Sequence, residues 1–368
     1  MLELENVSKQ VGASMHIDDV SLRLERGSLN VLLGPTLSGK TTLMRLMAGL
    51  DRPTSGAVKV DGQDVTGRSV RKRDVAMVYQ QFINYPALSV YENIASPMRL
   101  DGTDAATLDR KVREAAELLK LTEFLERTPL NLSGGQQQRT AIARALVKGA
   151  ELVLLDEPLA NLDYKLREEL RVELPRLFAE TGAIFVYATT EPQEALLLGG
   201  RTATLNEGRV TQFGETIEVY NRPDDLVTAQ TFADPPMNVA PVEKRGTELY
   251  FGELMLGRVP DSLADGAYTL AFRPHHVSLS ASAAHTVAVP AEVGTSEITG
   301  SETYLHARAS GGGGAARSAD WVALSHGVHR IANGETITLH LDPERHYLFG
   351  EDGTLVHAPD ATRPAEAA

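Results

Sequence analysis

Two short blocks hold most of the residues that could do chemistry. Gly34 to Thr41 reads GPTLSGKT, the G-x-x-x-x-G-K-[ST] spacing of a phosphate loop. In such a loop successive backbone N–H groups converge on a polyanion, and the helix that opens there adds its positive end. A triphosphate suits that cradle. Lys40 would reach its terminal phosphates and the Thr41 hydroxyl would ligate Mg²⁺, with Pro35, Thr36, Leu37, Ser38, Gly39 and Thr42 completing the contact surface. An ordinary glycine turn opening a helix has the same spacing, so the match is weak by itself. The second block, Leu132 to Pro158, reads LSGGQQQRTAIARALVKGAELVLLDEP. It joins a Ser-Gly-Gly phosphate contact, a helix and an apolar strand tipped by Asp156 and Glu157. Carboxylates at that tip stand where an α/β sheet presents its ligands. Plain helix caps are the alternative, and the preceding LVLL and following Pro158 argue against it.

These residues need a parallel sheet behind them. Leu2–Val7 and Val20–Leu24 alternate as strands around a turn at Gly12. Leu29–Leu33, Val75–Tyr79, Leu152–Leu155 and Ile184–Ala188 are short, largely apolar runs, as expected of buried parallel strands. Helices are expected from Thr41 to Gly49, over Asp109–Arg127, from the LSGGQ block to Gly149, and over Tyr164–Glu180. Pro175 should end or kink the last of these. Beyond Asp234 short alternating segments such as LAFRPHHVSLS and ETITLHL take over, which predicts a small β-barrel. Gly311 to Gly314 reads as a flexible loop between its strands, and residues 358–368 as a disordered tail.

Composition sets outer limits. At 368 residues two domains are expected, and a net charge of −13 argues against a nucleic-acid surface. Without cysteine there is neither a disulfide framework nor thiol chemistry. The start MLELENVSKQ lacks a signal-peptide pattern, and no apolar run approaches the ~20 residues of a membrane span. Nine of the ten histidines lie beyond Leu270 without zinc-like spacing, so surface or barrel-core positions are expected for them.

Together the two blocks resemble one family, the ATPase subunits of ABC transporters, from Met1 to about Asp234. The resemblance implies an α/β P-loop cassette over 1–234 with a helical signature subdomain at about 82–150. A small all-β OB-like domain of the TOBE type follows over 235–357. It further implies that Asp156 holds Mg²⁺, that Glu157 polarises the attacking water, and that Gln80 touches Mg²⁺ and reports on the γ-phosphate. Ser133, Gly134, Gly135 and Gln136 would clamp ATP held by a second ATPase subunit, and Ala160–Asp163 would be the loop crossing that interface. Phe82, Tyr85, Pro86 and Tyr91 would belong to a groove, Phe82 to Tyr91, that receives two membrane permease subunits. A solute-binding protein would act indirectly, and the chain would sit peripherally on the cytoplasmic face of the inner or plasma membrane.

The chain departs from the family pattern at three places. Thr190 occupies the position of the histidine that contacts the γ-phosphate, and His16 is the only histidine before His275. Val11 replaces the aromatic residue that stacks on adenine, and Leu37 stands where a small residue or glycine is common. The phrases DPPMN, AFRPHHV and HYLFGEDG are similar to the C-terminal region of maltose-type importer ATPases. The chain thus resembles the atypical member of a two-ATPase carbohydrate or glycerol importer, partnered by a non-identical paralogue, with glycerol or a related polyol as solute. The alternative is a regulatory nucleotide-binding subunit with negligible turnover of its own.

Overall fold

The computed structural model describes residues 1–81, 83–312 and 318–360. Phe82, Gly313, Gly314 and the tail beyond residue 360 lie outside them. Two compact units emerge, Met1–Thr216 and Ile217–Ala368.

In the first unit β1 (Leu2–Val11) and β2 (Ser14–Leu24) form a hairpin, and Gly12 takes φ +61 at its turn. β1 also pairs antiparallel with β4 (Ser55–Val60), which carries β5 (Gln63–Asp64). The second sheet contains β3 (Leu29–Leu33), β6 (Val75–Val78), β7 (Leu152–Asp156), β8 (Ile184–Thr189), β9 (Arg201–Asn206) and β10 (Arg209–Glu215). Its order is β10-β9-β3-β8-β7-β6, parallel except for β10. Every residue of β7 and β8 is buried, which is why their sequences run apolar without alternating.

The helices are α1 (Lys40–Ala48), α2 (Val90–Leu100), α3 (Ala105–Leu118), α4 (Gly134–Val147), α5 (Tyr164–Thr181) and α6 (Pro192–Leu198). α1 sends Leu43, Met44, Leu46 and Met47 into the core between the sheets. Full burial of each such side chain stabilises the fold by roughly 1.5–3 kcal/mol. α2 and α3 pack on α4.

Two helical expectations need correction. The helix expected over Asp109–Arg127 starts earlier, because the Asp104 side chain caps it by accepting from Thr107 N–H. It ends at Leu118, where the chain turns through Lys120 at φ +52. The second correction concerns Pro175, which does not end α5. Leu166, Leu170, Leu174 and Phe178 line one buried face at helical spacing, and Phe178 stacks on Phe185 with centroids 3.8 Å apart. That burial outweighs the ~3 kcal/mol of an interior proline.

The second unit opens with two short helices, Thr216–Asn221 (its first residue closing the first unit) and Leu226–Thr231. Two antiparallel sheets follow, one of six strands between Asn238 and His357 and one of five between Val277 and Leu341. They share a core in which Trp321 stacks on Phe251 and meets Phe272 edge-on.

Candidate nucleotide site

Parallel pairing brings the ends of three strands to one edge. Leu33 of β3 lies beside Thr189 of β8, and Asp156 of β7 beside Ala188. The Gly34 N–H donates to Thr189 O at 3.4 Å, and the Glu157 N–H to Ala188 O at 3.0 Å. The phosphate loop therefore meets the acidic pair and the segment leading to Thr190, although both lie more than a hundred residues further along the sequence.

Glycine is required in the loop by space. A methyl on Gly34 would lie 2.3 Å from Leu205 O, and one on Gly39, itself at φ +105, 2.9 Å from His16 O. Leu37 takes φ +69 and is almost wholly exposed, so the left-handed backbone persists without a glycine. Lys40 is buried, and its ammonium donates to Gly34 O at 2.7 Å and Pro35 O at 2.9 Å. Burial pulls its pKa down, while Glu157 and Asp156 act the other way. The Ser38 hydroxyl is buried there without a partner.

The carboxylates face this loop. Thr41 Oγ1 donates to Asp156 Oδ2 at 2.8 Å, and Gln80 Nε2 donates to Glu157 Oε2 at 2.8 Å. Burial pushes the Asp156 carboxyl above its ordinary value, against the Thr41 bond and the Lys40 charge. Glu157 is also raised, chiefly by burial and further by Asp156, Glu194 and Glu191, with Lys40 opposing. Hydroxyl, carboxylate and amide oxygens are the hard donors that Mg²⁺ prefers. The residues present suit the ion. A phosphate chain would find an ammonium, an orphan hydroxyl and glycines with no room for side chains.

Other candidates stand apart from this cluster. Thr190 follows β8 with its side chain exposed and no hydrogen bond among the described residues. Val11 ends β1 about half exposed, and the hairpin touches the loop instead through the His16 carbonyl. Ser133 caps α4: its hydroxyl accepts from Gln136 N–H at 3.3 Å, and Gln136 Oε1 accepts from Ser133 N–H at 2.8 Å. This reciprocal cap leaves the N–H groups of Gly134 and Gly135 to face outward at a helix N-terminus. Around Tyr85, the Asn93 side chain bonds Tyr85 N, Tyr85 O and Leu88 O, and the Arg144 guanidinium lies 5.2 Å from the Tyr85 ring centre. Ile83, Tyr85 and Leu88 remain exposed on that segment.

Gln138 escaped the motif reading. Buried on α4, it donates to the Glu157 carbonyl at 3.2 Å and so steadies the acidic turn, in which Glu157 takes φ +45. Its place on the same buried face as Ala141, Ile142 and Ala145 was the available signal.

A sequence profile described as "ABC transporter" matches residues 17–160, and one described as "TOBE domain" matches 270–349. The sn-glycerol-3-phosphate import ATP-binding protein UgpC of Salmonella typhimurium is 37% identical, over 96% of this chain and 99% of its own length. The xylose/arabinose import ATP-binding protein XacJ of Haloferax volcanii is 32% identical, over 97% of this chain and 95% of its own. Among solved structures, the dimeric ATP-binding cassette MJ0796 bound to ADP and phosphate is similar, with TM-score 0.54 and 30% identity. That match covers 59% of this chain and 99% of MJ0796.

Proposed function

The chain belongs to the ATP-binding subunits of ABC transporters, and from that premise we propose how its residues divide the work of importing a solute. The reading rests above all on Lys40, Thr41, Gln80, Asp156 and Glu157 converging on one edge of the sheet.

Backbone N–H groups of the loop and Lys40 hold the phosphates of ATP, and Thr41, Asp156 and Gln80 hold Mg²⁺. Bound there, the ion supplies positive charge that offsets the burial of Asp156 and neutralises charge developing on the phosphate. Glu157, held by Gln80 and backed by Gln138, polarises the attacking water. Its raised pKa makes it a better proton acceptor than an ordinary carboxylate. Ser133, Gly134, Gly135 and Gln136 complete the site of a second ATPase subunit, whose signature completes this one. Closure of such a pair around ATP and its reopening after hydrolysis are a ligand-driven population shift that drives the permeases. The segment Ile83–Tyr91 is the permease contact, and the chain works peripherally at the cytoplasmic face of the membrane. Among the described residues no helix is long and apolar enough to cross it.

Thr190 makes the two sites unequal. A hydroxyl is shorter than an imidazole and cannot carry positive charge. Loss of one positioned donor near developing charge commonly costs ~10²–10³ in rate. The site on Lys40 and Glu157 is therefore slow, while the site that borrows this chain's signature stays fast if the partner is a non-identical, complete paralogue. The solute is a carbohydrate or glycerol derivative, as the names of relatives matching nearly the whole chain suggest.

Two measurements test this. Lys40→Ala in the purified chain is expected to remove most Mg-ATP binding; unchanged binding would refute the site. In the assembled transporter, the partner's catalytic glutamate is expected to matter severely and Glu157→Gln mildly. Equal losses, or full activity from two copies of this chain, would refute the pairing.

A further inference from the structure

Behind Thr190 lies a buried ionic cluster that the chemistry above does not use. Glu194 of α6, Arg171 of α5, and Tyr187 and Thr189 of β8 are all buried. Glu194 Oε2 accepts from Thr189 Oγ1 at 2.6 Å and from the Tyr187 hydroxyl at 3.1 Å. Its other oxygen accepts from Arg171 Nη2 at 3.2 Å, and Arg171 also donates to Glu168 at 2.6 Å and Glu191 at 2.7 Å. Thr189 Oγ1 in turn accepts from the Glu191 N–H at 3.0 Å. The residues on both sides of Thr190 are thus tied down.

Stability does not account for this cluster. Burying charges costs solvation that pairing often fails to repay, and an apolar cluster frequently does as well or better. Moreover, the Nε atoms of Arg167 and Arg171 are buried without partners. What the cluster supplies is a fixed position for Arg167, one helical turn before Arg171 on α5.

Arg167 spans two loops. Its Nη1 donates to Glu191 Oε1 at 3.1 Å and its Nη2 to Ala160 O at 3.2 Å. The loop Ala160–Asp163 closes in turn on the signature, since a methyl on Gly135 would lie 3.2 Å from Asn161 O and 3.4 Å from Leu162 Cδ2. We propose that Arg167, backed by Arg171 and Glu194, is a positioning residue coupling the Thr190 segment of this chain's own site to the signature it lends to the opposite site. A planar guanidinium can hold both loops in one relative placement, whereas an ammonium keeps the charge without the fork. This inference rests on the paired-site reading.

The test is ATP turnover by the assembled transporter. Arg167→Ala is expected to lower kcat about 10-fold or more, as loss of positioning remote from the chemistry can. The KM for ATP should stay within about twofold, since no nucleotide contact is removed. The thermal midpoint of the chain should not move, and Arg167→Lys should recover part of the rate. A similar drop is expected when this chain also carries Glu157→Gln, because the coupling acts on the opposite site. An unchanged kcat, or a loss accompanied by matching changes in KM and thermal midpoint, overturns the proposal. If Glu157→Gln alone silences the transporter, the paired-site reading fails, and the single Arg167 variants still decide whether the bridge exists.

Discussion

On the proposed reading, the single side chain of Thr190 sets the expected rate of this chain's site. Lys40, Thr41, Asp156, Glu157 and Gln80 are joined by hydrogen bonds or charge, while Thr190, the residue after β8, adds no positive charge. Thr190→His is therefore expected to raise the turnover contributed by this chain's site by ~10-fold or more. The measurement is ATPase activity of a transporter whose partner glutamate has been replaced by glutamine, which isolates that site. No gain there would mean that another group limits the rate. Leu37 poses a separate residue-scale question. A non-glycine residue at φ +69 carries roughly 1–2 kcal/mol of backbone strain, and its side chain touches little at 95% exposure. Leu37→Gly removes that strain but gives the unfolded chain more freedom, an opposing effect of about 0.4–1 kcal/mol. The expected net result is a gain between zero and about 1.6 kcal/mol in chemical denaturation, with nucleotide affinity kept. A loss of stability would show that the leucine is held by contacts the exposed geometry does not suggest.

At the scale of elements, α5 shows packing prevailing over local propensity. Pro175 lacks the N–H that would pair with the carbonyl one turn earlier, yet the helix runs on to Thr181 and Gly182 terminates it at φ +68. Pro175→Ala restores a donor while leaving the buried face of Leu166, Leu170, Leu174 and Phe178 intact. The variant is expected to be more stable by ~1–3 kcal/mol, read as a higher thermal midpoint of the first unit. A lower midpoint would mean that the proline ring packs against something its neighbours need. The same contest explains which element boundaries were legible. Asp163, Ser133 and Asp104 cap their helices through their own side chains, a local signal. Leu118 ends α3 because the chain turns at Lys120, and nothing in the composition of 109–127 marks that turn.

For the molecule as a whole, acid sensitivity should reside in the second unit. His346 is buried there with its Nε2 unpartnered, and burial, helped by the neighbouring His357, lowers its pKa to about 4. His276 is pushed further down, to about 2, again mainly by burial. A histidine lowered on folding binds its proton more readily when unfolded. Its neutral form therefore favours the folded state above pH ~6.5, and that contribution is lost as pH falls from about 6.5 toward 4. For His346 the loss is on the order of 3 kcal/mol. Calorimetry of the full chain should show the transition of the second unit shifting down between pH 7 and 4.5. His346→Phe, which carries no titrating group, should reduce that dependence by the share of His346, while His275 and His276, lowered to about 4 and about 2, keep the rest. An identical slope in the variant would count against the assignment.

The sequence alone made legible the phosphate-loop spacing, the acid-tipped strand, the Ser-Gly-Gly segment that opens a helix, and the change of character beyond Asp234. Each is carried by residues adjacent in the chain, so spacing and residue type express the physics directly. That His16 is the only histidine before His275 was equally legible. Tertiary structure alone decided that Gln138 supports the acidic turn, that Glu194 and Arg171 meet beneath β8, and that Arg167 joins two loops. It also divided the compact units at Thr216 and Ile217, whereas the shift in composition points to Asp234. Two short helices between those points have ordinary amphipathic sequences, and what assigns them is the surface they bury against. Single residues become partners only when strands far apart in sequence pair in register, and that register is set by burial over the whole sheet.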